Sequence, residues 1–188
     1  MRKKITALSI AIMLAASLTA CGGSKGENVV TPDPNDPNIV NAVQEVENPD
    51  EIKDAIGIDM SVDNEVNLED GTPKYSIISK SIGETTFTVD GVTYDYRACK
   101  DLIGDAMAGI ESAMDENTTK VTLEDVETQF STYADGTLIA FWTIGQMNFS
   151  LTCKDTDQNT LQGVAQSLIK DAKDGGVENI QLPDNDEE

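Results

Sequence analysis

The sequence predicts an α+β domain: an antiparallel sheet built from hairpins, packed by a short N-terminal helix and an amphipathic C-terminal helix. Three observations carry this prediction. Asp90-Gly91 and Asp135-Gly136 each separate runs rich in Thr, Tyr, Phe and aliphatic residues, and Asp-Gly suits a tight hairpin turn because glycine takes positive φ without strain. Leu161, Val164, Ala165, Leu168 and Ile169 recur at i, i+3, i+4, i+7 and i+8, which is one face of a helix. Asn48-Pro49-Asp50-Glu51 places a cap, a proline for the first helical position and an acid three residues after the cap.

The chain begins with Arg2, Lys3 and Lys4, followed by an apolar run from Ile5 to Ala16 and then Leu18-Thr19-Ala20-Cys21. Ile5 to Ala20 is 16 residues long and contains Thr6, Ser9, Ser17 and Thr19, short of the about 20 apolar residues a spanning helix needs. Basic, apolar and small-residue regions in that order read as a removed signal. The cysteine directly after the small residues resembles the lipobox of bacterial lipoproteins. That resemblance implies a signal peptide over 1–20 and cleavage before Cys21. It also implies lipidation of Cys21 (diacylglyceryl, palmitate-type chains) and residence on the extracytoplasmic face of the cell membrane. Two acyl chains give stable attachment where one gives only reversible binding.

Residues 21–47 read as the lipidated cysteine and a flexible tether. Gly22-Gly23-Ser24-Lys25-Gly26 and Thr31-Pro32-Asp33-Pro34-Asn35-Asp36-Pro37 cannot bury enough apolar surface to order themselves. A short amphipathic turn at Ile39 to Val46 is an added option. The single α+β domain spans 48–174, and 175–188 reads as a disordered acidic tail.

Within the domain, Ile52, Ala55 and Ile56 form the apolar side of the first helix, and Gly57 ends it. Ile58 and Met60 open an extended stretch, and Tyr75 to Ser79 is a strand. The Asp90-Gly91 hairpin pairs Val89 with Val92, Thr88 with Thr93, Phe87 with Tyr94 and Glu84 with Arg97. Like meets like in that register, as stable cross-strand pairs do. Leu102, Ile103, Met107, Ile110 and Met114 recur near helical spacing, but Gly104 and Gly109 weaken a helix there. The second hairpin, turning at Asp135-Gly136, pairs Phe130 with Phe141 and Thr132 with Ile139, with Leu138 and Trp142 on the opposite face. Met147, Phe149, Leu151 and Cys153 alternate as a half-buried strand does. Asn159 with Gln162 forms the capping box of the last helix.

The chain carries 13 Lys and Arg against 34 Asp and Glu, a net charge of −21. Loss of Arg2, Lys3 and Lys4 with the signal leaves −24. Such a surface repels phosphate backbones and anionic headgroups, which excludes nucleic acid as a partner. There is no histidine, which removes Ser-His-Asp triads, Cys-His dyads and His-bound zinc.

Of three cysteines, Cys21 is assigned to lipid. Cys99 and Cys153 are a candidate disulfide, worth about 4 kcal/mol for so long a loop, or two free thiols. Cys153 falls on the apolar parity of its strand and Cys99 on the polar parity of Thr93, Asp95 and Arg97, which argues against a simple cross-strand bond. Asp155-Thr156-Asp157 imitates a calcium loop, but Thr160 and Gln166 stand where glycine and the bidentate glutamate belong. Asp115-Glu116-Asn117 fails at Lys120 and Val126. No phosphate loop or nucleophile elbow is present, and the sequence nominates no catalytic residue, metal ligand or cofactor.

The helix at Asn48 with its Gly-Ile-Asp-Met exit, Tyr75-Ser76-Ile77-Ile78, Phe87 to Arg97 and the final Leu161 to Ile169 helix together resemble the uncharacterised DUF4367-like domains of bacterial lipoproteins. That resemblance implies the α+β architecture over residues 48–172 and no reaction. The functional expectation is a non-enzymatic, lipid-anchored binding or accessory domain that presents its sheet to a protein or cell-wall partner. A carboxylate-only envelope hydrolase and a small-ligand or cation carrier are the alternatives.

Overall fold

A computed structural model describes residues 43–62, 68, 73–102, 104–110 and 118–177. The signal, Cys21, the tether up to residue 42, Ile103, Met114 and residues 178–188 lie outside them. The chain divides into two units, Met1–Thr31 and Pro32–Glu188, and every described residue belongs to the second. No helix among the described residues is long and apolar enough to cross a membrane.

The class is α+β with an antiparallel sheet. Its eight strands are β1 (Val43–Val46), β2 (Lys74–Ile78), β3 (Ile82–Val89), β4 (Val92–Cys99), β5 (Thr119–Leu123), β6 (Val126–Thr132), β7 (Leu138–Ile144) and β8 (Met147–Cys153). They are ordered β1-β2-β3-β4-β8-β7-β6-β5. Two four-strand meanders therefore meet at the middle, where the last strand of each pairs antiparallel, Tyr96 opposite Leu151 and Ala98 opposite Phe149. The helices are α1 (Pro49–Ile56), the four-residue α2 (Asp105–Ala108) and α3 (Gln158–Asp174).

Local chemistry explains the elements. Asn48 caps α1 by accepting from the Glu51 N–H at 3.3 Å, Glu51 Oε1 accepts from the Glu47 N–H at 3.0 Å, and Gly57 closes the helix in the left-handed region. Ile52 is buried while Ala55 is exposed. The β3–β4 hairpin has the expected register throughout, from Val89 opposite Val92 to Glu84 opposite Arg97.

The second hairpin corrects the expected register by one residue. Phe130 lies opposite Ala140, Gln129 opposite Phe141 and Thr132 opposite Leu138. Its turn has three residues: Tyr133 N–H bonds the Thr137 carbonyl at 2.9 Å and Gly136 N–H bonds the Tyr133 carbonyl at 2.9 Å. Asp135 accepts from the Thr137 N–H, so aspartate and glycine stand at the second and third loop positions rather than forming the whole turn. The slip matters because strand side chains alternate faces: Phe130 now shares a face with Ala140 and Trp142, and Phe141 with Gln129.

Three further expectations change. Val43–Val46, assigned to the tether, is an edge strand paired with β2. The cap of α3 is Asp157, which accepts from the Thr160 N–H at 2.9 Å; Asn159 is already inside the helix. The helical pattern around Leu102 to Ile110 condenses to α2 alone, with Gly104 and Gly109 at positive φ on either side of it. Strand β5 has no counterpart in the sequence reading; it pairs with β6 through a Glu124-Asp125 turn whose two residues both have positive φ.

The two faces of the sheet differ. The first face is the core. Phe87, Tyr94, Tyr96, Phe130, Trp142, Phe149 and Leu151 point to it and pack with Ile52 of α1, with Ile58 and Met60, and with Leu161, Ala165, Leu168 and Ile169 of α3. Tyr96, Trp142 and Phe149 stack, with ring centroids 5.6–6.0 Å apart. Two tight contacts hold the cover down. The buried Thr85 hydroxyl donates to the Met60 carbonyl at 2.8 Å. Gly83 leaves room for α1, since a Cβ there would lie 2.5 Å from Ile52 Cγ2. Val177, beyond α3, is also buried.

Candidate functional site

The second face is where polar side chains collect. Strand alternation puts one residue of every strand into a single transverse row, Glu45, Ser76, Glu84, Arg97, Ser150, Phe141, Gln129 and Lys120, each directly opposite the next. Ser76 Oγ donates to Glu84 Oε1 at 2.9 Å, and Arg97 Nε donates to Glu84 Oε2 at 2.6 Å. Neighbouring rows are bonded in the same manner: Thr86 to Asp95 at 2.8 Å and Thr143 to Asn148 at 2.9 Å.

Over the middle of this face lies the Gly104–Ile110 segment. Arg97 Nη1 donates to the Met107 carbonyl at 3.1 Å, and Cys99 Sγ donates to the Leu102 carbonyl at 3.2 Å. Asn148 Nδ2 donates to the Lys100 carbonyl at 3.1 Å. These bonds fasten the segment to β4 and β8 and make it one wall of a groove.

The groove crosses β8, β7 and β6 and is a shallow, open hollow of about 630 Å³. Half-buried Phe141 gives it an apolar floor, while Met107, in the wall segment, is buried against Ile78, Ile82 and Cys99. Asn148, Thr143 and Gln129 stand along it, and Asp125 and Glu127 close the far side. Glu127 is held by Lys120 at 2.7 Å, while Asp125 has no ion-pair partner among the described residues, so the groove's far side keeps one unpaired carboxylate in a chain of net −21. Ser150, buried beside Arg97 and Phe141, has no hydrogen-bond partner for its Oγ.

A second hollow, of about 530 Å³, lies between Gly57–Ser61 and the end of α3, with Tyr96 at its base. Burial raises the Tyr96 phenol far above its usual range, and the charges of Asp171 and Asp59 push the same way. The phenol is therefore a neutral hydroxyl at any working pH. Asp59 stays below the usual carboxylate range although burial opposes this, because the Ser61 N–H and Lys53 favour its charged form.

The candidate disulfide does not form. Cys99 lies opposite Asn148 and Cys153 opposite Tyr94, five positions apart along β4 and on opposite faces, and both thiols are free and buried. Cys99 faces a small cluster of Ile78, Ile82 and Met107, so the polar parity of its strand ends in an apolar residue. Burial pushes the Cys153 thiol up to about 12. Among the described residues no three His, Cys, Asp or Glu side chains converge as a metal site would. Asp157, from the imitation calcium loop, serves as the α3 cap.

The sequence nominated none of the groove residues. Their signal was present in alternation: Gln129 and Ser131, then Thr143, then Asn148, Ser150 and Thr152 are the polar partners of three apolar series. It was unreadable without the register that brings those strands side by side. No protein-family profile, curated protein or solved structure matches the chain.

Proposed function

We propose that the chain is a lipid-anchored binding module on the extracytoplasmic face of the cell membrane, working through the second face of its sheet. The observation that carries this reading is the asymmetry of the two faces. We take α1 and α3 together as the cover of the first face. Among the described residues, the second has the four-residue α2 as its one helix, and beside α2 a groove lined by ordered polar side chains. A face that only needed to stay soluble would call for scattered charge; this one holds Ser76, Glu84 and Arg97 in a fixed network.

Lipid on Cys21 would hold the module without electrostatic help, because a chain of net −24 once its signal is removed stands off from an anionic bilayer. The partner is a protein or cell-wall component, with nucleic acid disfavoured on the same ground. Two substitutions test the reading. Cys21→Ser moves the protein from the membrane to the soluble fraction; retained membrane fractionation would contradict the anchor. Thr143→Trp fills the groove from an exposed position and abolishes retention on isolated cell envelopes, whereas Asn159→Trp, exposed on α3, does not. Equal retention of both would contradict the face.

A further inference from the structure

We infer that the free edge of β1 takes an extended, basic peptide segment as an added strand of the sheet. The edge is a site separate from the groove, and the two can be occupied independently.

The sheet ends on β1 and β5. Among the described residues β1 pairs with β2 alone, and alternate residues of an antiparallel edge strand turn their N–H and C=O away from the sheet. Those groups are a template for one more strand. All four β1 residues stay in continuous register with β2, so no bulge twists the edge away. Val43-Gln44-Glu45-Val46 also holds no lysine or proline. The opposite edge differs: Lys120 stands on β5, paired with Glu127 at 2.7 Å, and an edge lysine guards against strand pairing. Val43, Gln44 and Glu45 are all exposed, Val43 by 53%. Beside β1 lies a hollow of about 370 Å³, lined in part by Val43, Glu45, Lys74, Ser76 and Thr86 of the second face. It leaves room for the side chains of an incoming strand.

Charge selects the occupant. Along β1 and α1, Glu45, Glu47, Asp50, Glu51 and Asp54 outnumber Lys53 and the neighbouring Lys74, and Lys53 already lies 3.7 Å from Asp59. A second copy of the chain fits this edge badly. Residues directly opposite in an antiparallel pair share a face. A twofold pairing centred on Gln44 therefore sets Val43 against Glu45, and one centred on Glu45 sets that carboxylate against itself. Both copies would also bring a net charge of −21. A strand with lysine or arginine opposite Glu45 and an aliphatic residue opposite Val43 satisfies both positions. Four residues make a short ladder, so this contact supplements a larger one and does not hold a partner alone.

The test titrates the purified full chain into a fluorophore-labelled peptide, Thr-Lys-Thr-Val-Thr-Lys-Thr, and reads anisotropy and amide hydrogen exchange. Anisotropy should rise saturably, and exchange should slow across Val43–Val46. The same peptide with glutamate in place of lysine should not bind. Nor should the lysine peptide methylated at every backbone nitrogen, which keeps the charge and loses the ladder donors. Glu45→Lys, an exposed change, should weaken binding about tenfold, because it turns a cross-strand attraction into a repulsion. Lys120→Glu on the other edge and Thr143→Trp in the groove should leave binding unchanged. Absence of binding, or equal binding of the methylated peptide, overturns the added strand. So does unchanged affinity of Glu45→Lys, or slowed exchange at Thr119–Leu123 in place of Val43–Val46. Loss of peptide binding in Thr143→Trp would move the peptide to the groove and overturn the edge. None of these outcomes bears on envelope retention through the second face, which the Thr143→Trp and Asn159→Trp pair tests by itself.

Discussion

Arg97 and Glu84 face each other across β3 and β4, Nε to Oε2 at 2.6 Å, with about 20% and 15% of their side chains exposed. Arg97 also reaches up to the Met107 carbonyl, so one side chain joins the sheet to the segment that walls the groove. A largely buried ion pair contributes little relative to an apolar pair, but breaking it strands a charge. Glu84→Ala should destabilise by about 3 kcal/mol in urea denaturation, and Gly109→Ala by about 1–2 kcal/mol. Gly109 sits at φ +67, and a Cβ there would lie 2.7 Å from Arg97 Nη1. Unchanged midpoints would mean that the wall is not held this way.

The glycines separate close approach from empty space. Gly83→Ala drives a methyl into Ile52 and Ile56 and should cost about 1–3 kcal/mol. Gly163 is exposed inside α3, and a methyl added there would meet nothing within 4 Å. Gly163→Ala should therefore stabilise by about 0.5–1 kcal/mol through helix propensity. Thermal melts of the two variants should move in opposite directions.

Asp135 links the β6–β7 turn to the segment after β8. The Lys154 ammonium and the Thr137 N–H hold its carboxyl down to about 2, from the usual 3.8. A folded value below the unfolded one stabilises the fold above about pH 3.8 and loses that contribution as pH falls towards 2. Asp135→Asn should flatten the loss of stability between those values. An NMR titration of Asp135 with a midpoint near 3.8 would contradict the bridge.

The free thiols Cys99 and Cys153 are both buried, and burial raises both above the usual thiol range. In a Cys21→Ser background neither should react with a thiol reagent in the native protein, and both should react after denaturation. A disulfide-linked peptide in a non-reducing digest would contradict the placement on opposite faces.

Much of the fold was legible because it rests on local chemistry. Asn48, Gly57 and Asp90-Gly91 set cap, stop and register from their immediate neighbours alone. The failures came where a longer range decided. The Asp135-Gly136 dipeptide fits both a two- and a three-residue loop, and the Tyr133–Thr137 pairing chooses. The Val43–Val46 strand has an exposed burial pattern, so only its partner β2 reveals it. The Glu124-Asp125 turn uses positive φ without glycine, which no composition rule marks. The groove was illegible for the same reason: Gln129, Phe141, Thr143 and Asn148 become neighbours only through two strand pairings, β6 with β7 and β7 with β8.

The central claim is that the second face meets the partner, and crosslinking in living cells tests it most directly. A photoreactive amino acid is placed at Thr143 or Gln129 on that face, and at Asn159 or Gly163 on the exposed side of α3. The account predicts a discrete adduct to an envelope component from Thr143 and Gln129 alone. Adducts from Asn159 or Gly163 with none from the groove would contradict it.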